Sequence, residues 1–159
     1  MLELMLVRHG KAESPNSGMT DHSRPLAASG IKDIKRQGNA FPCLSYDHVL
    51  VSDAVRTRET FALLTEAWGV VPPHHITGTG YLAEASTWLN LIPMTEPDAR
   101  RLWVIGHNPG ISDLVFRLTH TYVGMATSDI VHIVLKVDDW TAISDGAGRL
   151  LGHYPGGNA

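Results

Sequence analysis

The sequence predicts an α/β fold with parallel strands in the middle of its sheet and an antiparallel strand toward one edge. Two observations carry this. Three short apolar runs, 4–7, 48–51 and 102–105, are leucine-rich or β-branched and lack polar alternation, as strands covered on both faces do. Between them lie segments whose apolar residues recur at helical spacing, and strand–helix alternation favours a parallel sheet.

The elements follow in order. "LMLV" is the first strand. Ile31, Ile34 and Phe41 place a helix after Gly30. "HVLV", with Tyr46 before it, is the second strand. Val55, Leu63, Leu64 and Trp68 mark a helix that Gly69 can end. Gly and Pro punctuate 69–80, which reads as a loop. Trp88, Leu89, Leu91 and Ile92 follow Ser86, a candidate N-cap. "LWVI" is the third strand. Ile111, Leu114, Val115 and Leu118 form another apolar helix face. "IVHIVLKV", 130–137, is a strong late strand and "RLLGHY" a weaker one, with a loose tail after about 151.

The chain has 159 residues and a formal net charge of −3, which suits one domain over 1–159 and gives no basic field for nucleic acid. Its one cysteine, Cys43, excludes an intrachain disulfide. No basic leader precedes the first strand and no apolar run nears the ~20 residues of a membrane helix. The expectation is a cytoplasmic protein without membrane partners.

The chemistry-bearing residues fall at the strand ends. The first run ends in Arg8-His9-Gly10-Lys11, the second in Ser52-Asp53 followed by Arg56 and Arg58, the third in Gly106-His107-Asn108. The carboxyl ends of parallel strands form a common ligand crevice. Arg8, His9, Arg56 and His107 would meet there as an anion site without obvious carboxylates, assisted by helix N-termini. Arginine forks bind two phosphate oxygens at once. A neutral imidazole can attack phosphorus, while a second one, protonated, holds the transferring oxygens.

"LVRHGKA", "SDAVRTRET" and "VIGHNPG" resemble the histidine phosphatase superfamily. "DHSRPLAASG", "YLAEAS" and "MATSDIVHIVLKVDDW" are similar to stretches of its short SixA-type phosphohistidine phosphatase branch. The resemblance implies a phosphoglycerate-mutase-like three-layer sandwich with a mostly parallel central sheet. It implies that His9 becomes phosphohistidine, that Arg8 and Arg56 bind the phosphoryl oxygens, and that His107 completes the pocket. The substrate would be a phosphohistidine-bearing protein or a small phosphorylated molecule. Ala27, Ala83 and Met125-Ala126 depart from the family pattern, without touching those four residues.

Other residues carry two readings each. Glu84 sits where larger relatives place a proton donor, or is a surface glutamate at a helix start. Lys11 and Arg24 widen a positive rim, or are solvated. Asn108 binds substrate, or only shapes its turn. Arg58 points to another helix face than Arg56. His74-His75 and His120 lack metal-ligand spacing, so no metal or other cofactor is expected. Ser52 lacks the G-x-S-x-G frame of a serine hydrolase. The tryptophans read as core. Mutase-type relatives carry a helical lid insertion where this chain has only 61–83, so an open phosphate site without a lid is expected. The main reading is a metal-independent phosphohistidine phosphatase; a small-molecule phosphomonoesterase and an inactive phosphate-binding module are the rivals.

Overall fold

A computed structural model describes residues 1–157. Its ten main elements are β1 (Leu2–Arg8), α1 (Ala28–Ala40), β2 (Asp47–Ser52), α2 (Val55–Trp68), β3 (His74–Thr77), α3 (Ala85–Leu91), β4 (Arg101–Gly106), α4 (Gly110–Thr119), β5 (Ile130–Leu135) and β6 (Gly148–Tyr154). The strands form one sheet in the order β3-β2-β4-β1-β5-β6. β3, β2, β4 and β1 pair in parallel, whereas β5 is antiparallel to both β1 and β6.

The sheet has two buried faces, which is why its strands read as continuous apolar runs. Side chains alternate along a strand. Leu2, Leu4, Leu6, Leu102, Val104, Val131 and Ile133 pack with Trp88, Leu114 and Val115 of α3 and α4. Met5, Val7, Val49, Val51, Trp103 and Ile105 pack with Ile34, Phe61 and Leu64 of α1 and α2. Helices on both faces give the three-layer sandwich.

Local chemistry explains the boundaries. Gly69 adopts φ +71 and caps α2. Ala27 caps α1 without a side-chain hydrogen bond, and Glu84, not Ser86, is the N-cap of α3. Helix α1 begins before Gly30, at Ala28, and residue 30 is a glycine where Lys11 crosses the helix: a Cβ there would lie 2.3 Å from the Lys11 carbonyl oxygen. Trp88, Trp103 and Trp140 are fully buried.

Two expectations need correction. The 69–80 segment contains β3, an edge strand with exposed side chains, so no apolar pattern announced it. The tail is not loose after 151 as far as the described residues go. β6 runs to Tyr154, the Gly156 N–H donates to Asp129 Oδ1 (3.1 Å), and Arg36 donates to the Gly156 carbonyl (2.6 Å). Residues 158–159 lie outside the described residues.

Candidate active site

β1, β2 and β4 run in parallel, so their carboxyl ends deliver Arg8-His9, Ser52 and His107 to one end of the sheet, where α2 begins. The ring centroids of His9 and His107 are 5.2 Å apart. Each is almost wholly buried.

His9 is held at both ring nitrogens. Nδ1 lies 2.7 Å from the Gly10 carbonyl oxygen, which can only accept, so Nδ1 carries the proton. Arg56 Nε–H donates to Nε2 at 3.3 Å, which requires a lone pair there. These partners assign the tautomer. Burial, together with the charges of Arg56, Arg8 and Arg24, holds His9 neutral, with its pKa down at about 4.

Arg56 is buried, and its other donors meet the loop before α1. Nη1 donates to the Asp21 carbonyl (2.8 Å) and Nη2 to Asp21 Oδ2 (3.1 Å). Tyr81 also donates its hydroxyl to Asp21 Oδ2. The Tyr81 hydroxyl, then Arg56 and Arg24, outweigh desolvation and pull the Asp21 carboxyl down to about 2.

The spacing S-x-x-x-R-x-x-x-T now has a physical reason. Ser52 ends β2 and its Oγ lies 2.6 Å from His107 Nε2. Arg56 and Thr60 follow on one face of α2. Thr60 Oγ1 accepts from the Gly10 N–H (3.1 Å) and donates to the Arg56 carbonyl (2.7 Å). The glycines flanking His107 make room: a Cβ on Gly106 would lie 3.0 Å from the Trp88 ring, and one on Gly110 would lie 1.8 Å from the Ala83 oxygen.

His107 is pushed down to about 3, first by burial, then by His9 and Arg56. Arg8 Nη1 donates to the Met125 carbonyl (2.9 Å). Among the described residues, Arg8 Nε and His107 Nδ1 are buried without a hydrogen-bond partner, a condition that favours an arriving acceptor.

Comparison with known proteins bears on this geometry. A family model described as the histidine phosphatase superfamily (branch 1) matches residues 4–80. The uncharacterized protein Rv1276c of Mycobacterium tuberculosis is 31% identical over 164 residues, covering 94% of this chain and 99% of that one. The chain belongs to the histidine phosphatase superfamily. Its enzyme class is accordingly that of a phosphatase. The fold is also that of solved SixA structures. A putative phosphohistidine phosphatase SixA from Nakamurella multipartitia superposes with a TM-score of 0.81 at 22% identity, covering 96% of this chain and 94% of that one. The protein histidine phosphatase SixA complexed with tungstate gives 0.80 at 20%, covering 98% and 97%.

In this histidine phosphatase, the remaining candidates fall into different places. Arg24 reaches the site through Asp21, donating to Oδ1 at 2.9 Å. Lys11 is exposed; its carbonyl accepts from Ala27 N–H (2.8 Å). Both polar ends of Asn108 are engaged, with Nδ2 donating to the Met125 carbonyl (2.7 Å) and Oδ1 accepting from Ser112 (2.7 Å). The Met125 oxygen thus serves Asn108 and Arg8 together. Glu84 is exposed, and its side chain does not cap α3. Arg58 is exposed, on a different face from Arg56.

Three expectations about the site differ from the structure. A carboxylate, Asp21, does stand in it. Both imidazoles are neutral in the pocket, not one neutral and one protonated, because burial and the Arg56 guanidinium act on both, with Arg8 and Arg24 adding to the effect on His9. The site is lidless but recessed: His9 is only 7% exposed, and the loop carrying Asp21 and His22, with Tyr81, walls it. Sequence reasoning assigned no role to Asp21, His22, Tyr81, Ser52 or Thr60. The 52-56-60 spacing was available as a signal for Ser52 and Thr60. Asp21, His22 and Tyr81 open the stretches "DHSRPLAASG" and "YLAEAS", whose likeness to the family was a signal that named no role for them.

A cavity of about 390 Å³, lined by His48, Leu50, His75, Leu91, Met94 and Leu102 among others, lies at the opposite, amino ends of the parallel strands. Among the described residues no group of three or more His, Cys, Asp or Glu is placed to hold a metal. None of their helices is long and apolar enough to cross a membrane.

Proposed function

We propose that this phosphatase works through a covalent phosphohistidine at His9, without a metal, and that its substrate is a phosphohistidine borne on another protein. The observation carrying this reading is the state of His9: neutral, with its proton fixed on Nδ1 at 2.7 Å from the Gly10 carbonyl and its Nε2 lone pair facing a guanidinium at 3.3 Å.

In the first half-reaction the Nε2 lone pair attacks phosphorus, an N–P bond forms, and the bond to the leaving group breaks. Arg56 Nε–H loses its nitrogen acceptor at that moment and turns to a phosphoryl oxygen. Arg8 Nε–H supplies a second fixed donor. If Ser52 donates its hydroxyl to His107 Nε2, the His107 proton sits on Nδ1, and a neutral His107 can donate to a third oxygen. Such donors act strongly because they are buried and preset. In the second half-reaction water attacks phosphorus, the N–P bond breaks, and its electron pair returns to Nε2.

The protein substrate is supported by the short 61–83 segment, which holds only the rest of α2, β3 and a 3-10 turn. A small metabolite would find few contacts beyond its phosphoryl group, so remote binding energy could not assist catalysis. A second reading, a small-molecule phosphomonoesterase, draws on the recess: phosphorus must pass the Asp21–Tyr81 wall to reach His9. Phosphorylated phosphocarrier and histidine-phosphotransfer proteins assayed beside sugar phosphates and phosphoglycerates separate the two. The expected result is a much higher kcat/KM for the proteins and no mutase activity. A metabolite hydrolysed faster, with a low-micromolar KM, would promote the second reading and leave the His9 chemistry standing.

A further inference from the structure

We propose that His22, oriented by Asp53, is the proton donor to the leaving group, which extends the enzyme's reach to phosphomonoesters of weakly acidic alcohols; this rests on the His9 reading above. An alcohol leaves poorly as an alkoxide, so such substrates need a positioned acid. The groups around the pocket mouth narrow the choice. Asp21 is held as a carboxylate and has no proton to give. Tyr81 already donates to Asp21, and desolvation, then Asp21, raise its pKa. Glu84 is exposed, with its backbone against the start of α4.

His22 differs from all three. Its Nε2 is 2.8 Å from Asp53 Oδ1; in the protonated ring Nε2–H donates to that carboxylate and Nδ1–H is the proton to be given. Its carbonyl accepts from the Val55 N–H at 3.0 Å, so the residue is fixed on the first residue of α2, next to Arg56. Its ring stands edge-on to Tyr81 at 4.9 Å, and Tyr81 stands edge-on to His107 at 5.6 Å. His22 therefore sits at the lip of the same pocket. With a side chain 40% exposed, it is open to whatever leaves.

The charged and titratable groups around it are Asp53 before α2, Arg56 on α2, Tyr81 after β3, His107 after β4, and Asp21 and Arg24 on its own loop. A charge on His22 is felt at His107, where it helps keep that imidazole neutral.

The step balances. His9 Nε2 bonds to phosphorus, the P–O bond breaks, and its electron pair goes to the leaving oxygen, which takes the His22 Nδ1 proton. Neutral His22 then accepts a proton from the water that attacks phosphohistidine, and the N–P electron pair returns to His9. The sum is ester plus water giving alcohol plus phosphate.

The test compares two esters that differ in leaving group. p-Nitrophenyl phosphate releases a stable anion and needs no acid; phenyl phosphate releases a phenol of pKa about 10 and does. His22→Asn should lower kcat/KM for phenyl phosphate by about 100-fold or more and change p-nitrophenyl phosphate only a few-fold. His22→Gln should show the same contrast, and Asp53→Asn a smaller one in the same direction. Equal losses on both substrates would make His22 a loop staple and overturn the proposal, as would no loss on either. Wild-type enzyme that turns over neither ester while hydrolysing a phosphohistidine protein would overturn this proposal and leave the His9 reading standing; turnover of none of the three would bring down both.

Discussion

Replacing Arg56 by lysine isolates what the guanidinium fork does. The side chain is almost fully buried, and its Nε, Nη1 and Nη2 reach His9 Nε2 at 3.3 Å, the Asp21 carbonyl at 2.8 Å and Asp21 Oδ2 at 3.1 Å. These acceptors lie on two separate sides of the group. An ammonium keeps the charge but is a single point, so the substituted side chain reaches either His9 or Asp21. Two charge-assisted contacts that matter in the transition state are lost: the aim at the phosphoryl oxygen and the tie that fixes the guanidinium to the loop. Each contributes about 1.5–3 kcal/mol, or about 3–6 kcal/mol together, which corresponds to roughly 10²–10⁴ in kcat/KM. The assay is p-nitrophenyl phosphate hydrolysis by wild type, Arg56→Lys, Arg56→Ala and Arg58→Ala. Lysine should recover little of the alanine loss. Exposed Arg58 should cost no more than about twofold. An Arg56→Lys enzyme within tenfold of wild type, or equal losses at Arg56 and Arg58, would show that the fork geometry is not what matters.

Further outcomes follow from the same geometry. Gly110→Ala should destabilise the fold by at least about 1–3 kcal/mol, because its Cβ would lie 1.8 Å from the Ala83 oxygen; thermal unfolding checks this. His9 and His107 have folded pKa values of about 4 and about 3, below the ordinary 6.5. The unfolded chain therefore binds more protons below pH 6.5, so their contribution to stability is full above that pH and is lost as pH falls toward 4 and 3. Urea unfolding at pH 7 and pH 5 should show the loss, and His107→Asn should shrink it. For the same reason kcat/KM should hold its acid limb near pH 4 instead of 6.5. Ser52→Ala leaves His107 Nε2 buried without its partner and should lower kcat/KM by about tenfold, with steady-state kinetics as the check. Chelator should leave the rate unchanged.

Sequence pattern reached the parts of this molecule that depend on chain direction and periodicity. Buried parallel strands declare themselves, so Arg8, His9, Arg56 and His107 could be placed at one end of a sheet before any coordinates. The residues that stayed hidden sit where tertiary packing decides. β3 is exposed, so its sequence, His74 to Thr77, carries no strand pattern. The glycine-rich end looked loose, yet Asp129 and Arg36 pin Gly156. Asp21, His22 and Tyr81 belong to connections whose path no local signal sets. Tyr81 comes 60 residues along the chain to meet Asp21. Both imidazoles are neutral for a collective reason, the burial of two rings beside each other and beside Arg56.

Everything proposed for this enzyme rests on a phosphoryl group covalently bound to His9, and rapid quenching during turnover of a labelled substrate looks for that group itself. The His9 mechanism predicts label on the peptide containing residue 9, retained after an alkaline quench and lost after an acidic one, as a phosphoramidate behaves, and absent from His9→Ala together with turnover. Label on another residue, an acid-stable bond, or near-wild-type turnover by His9→Ala would contradict it.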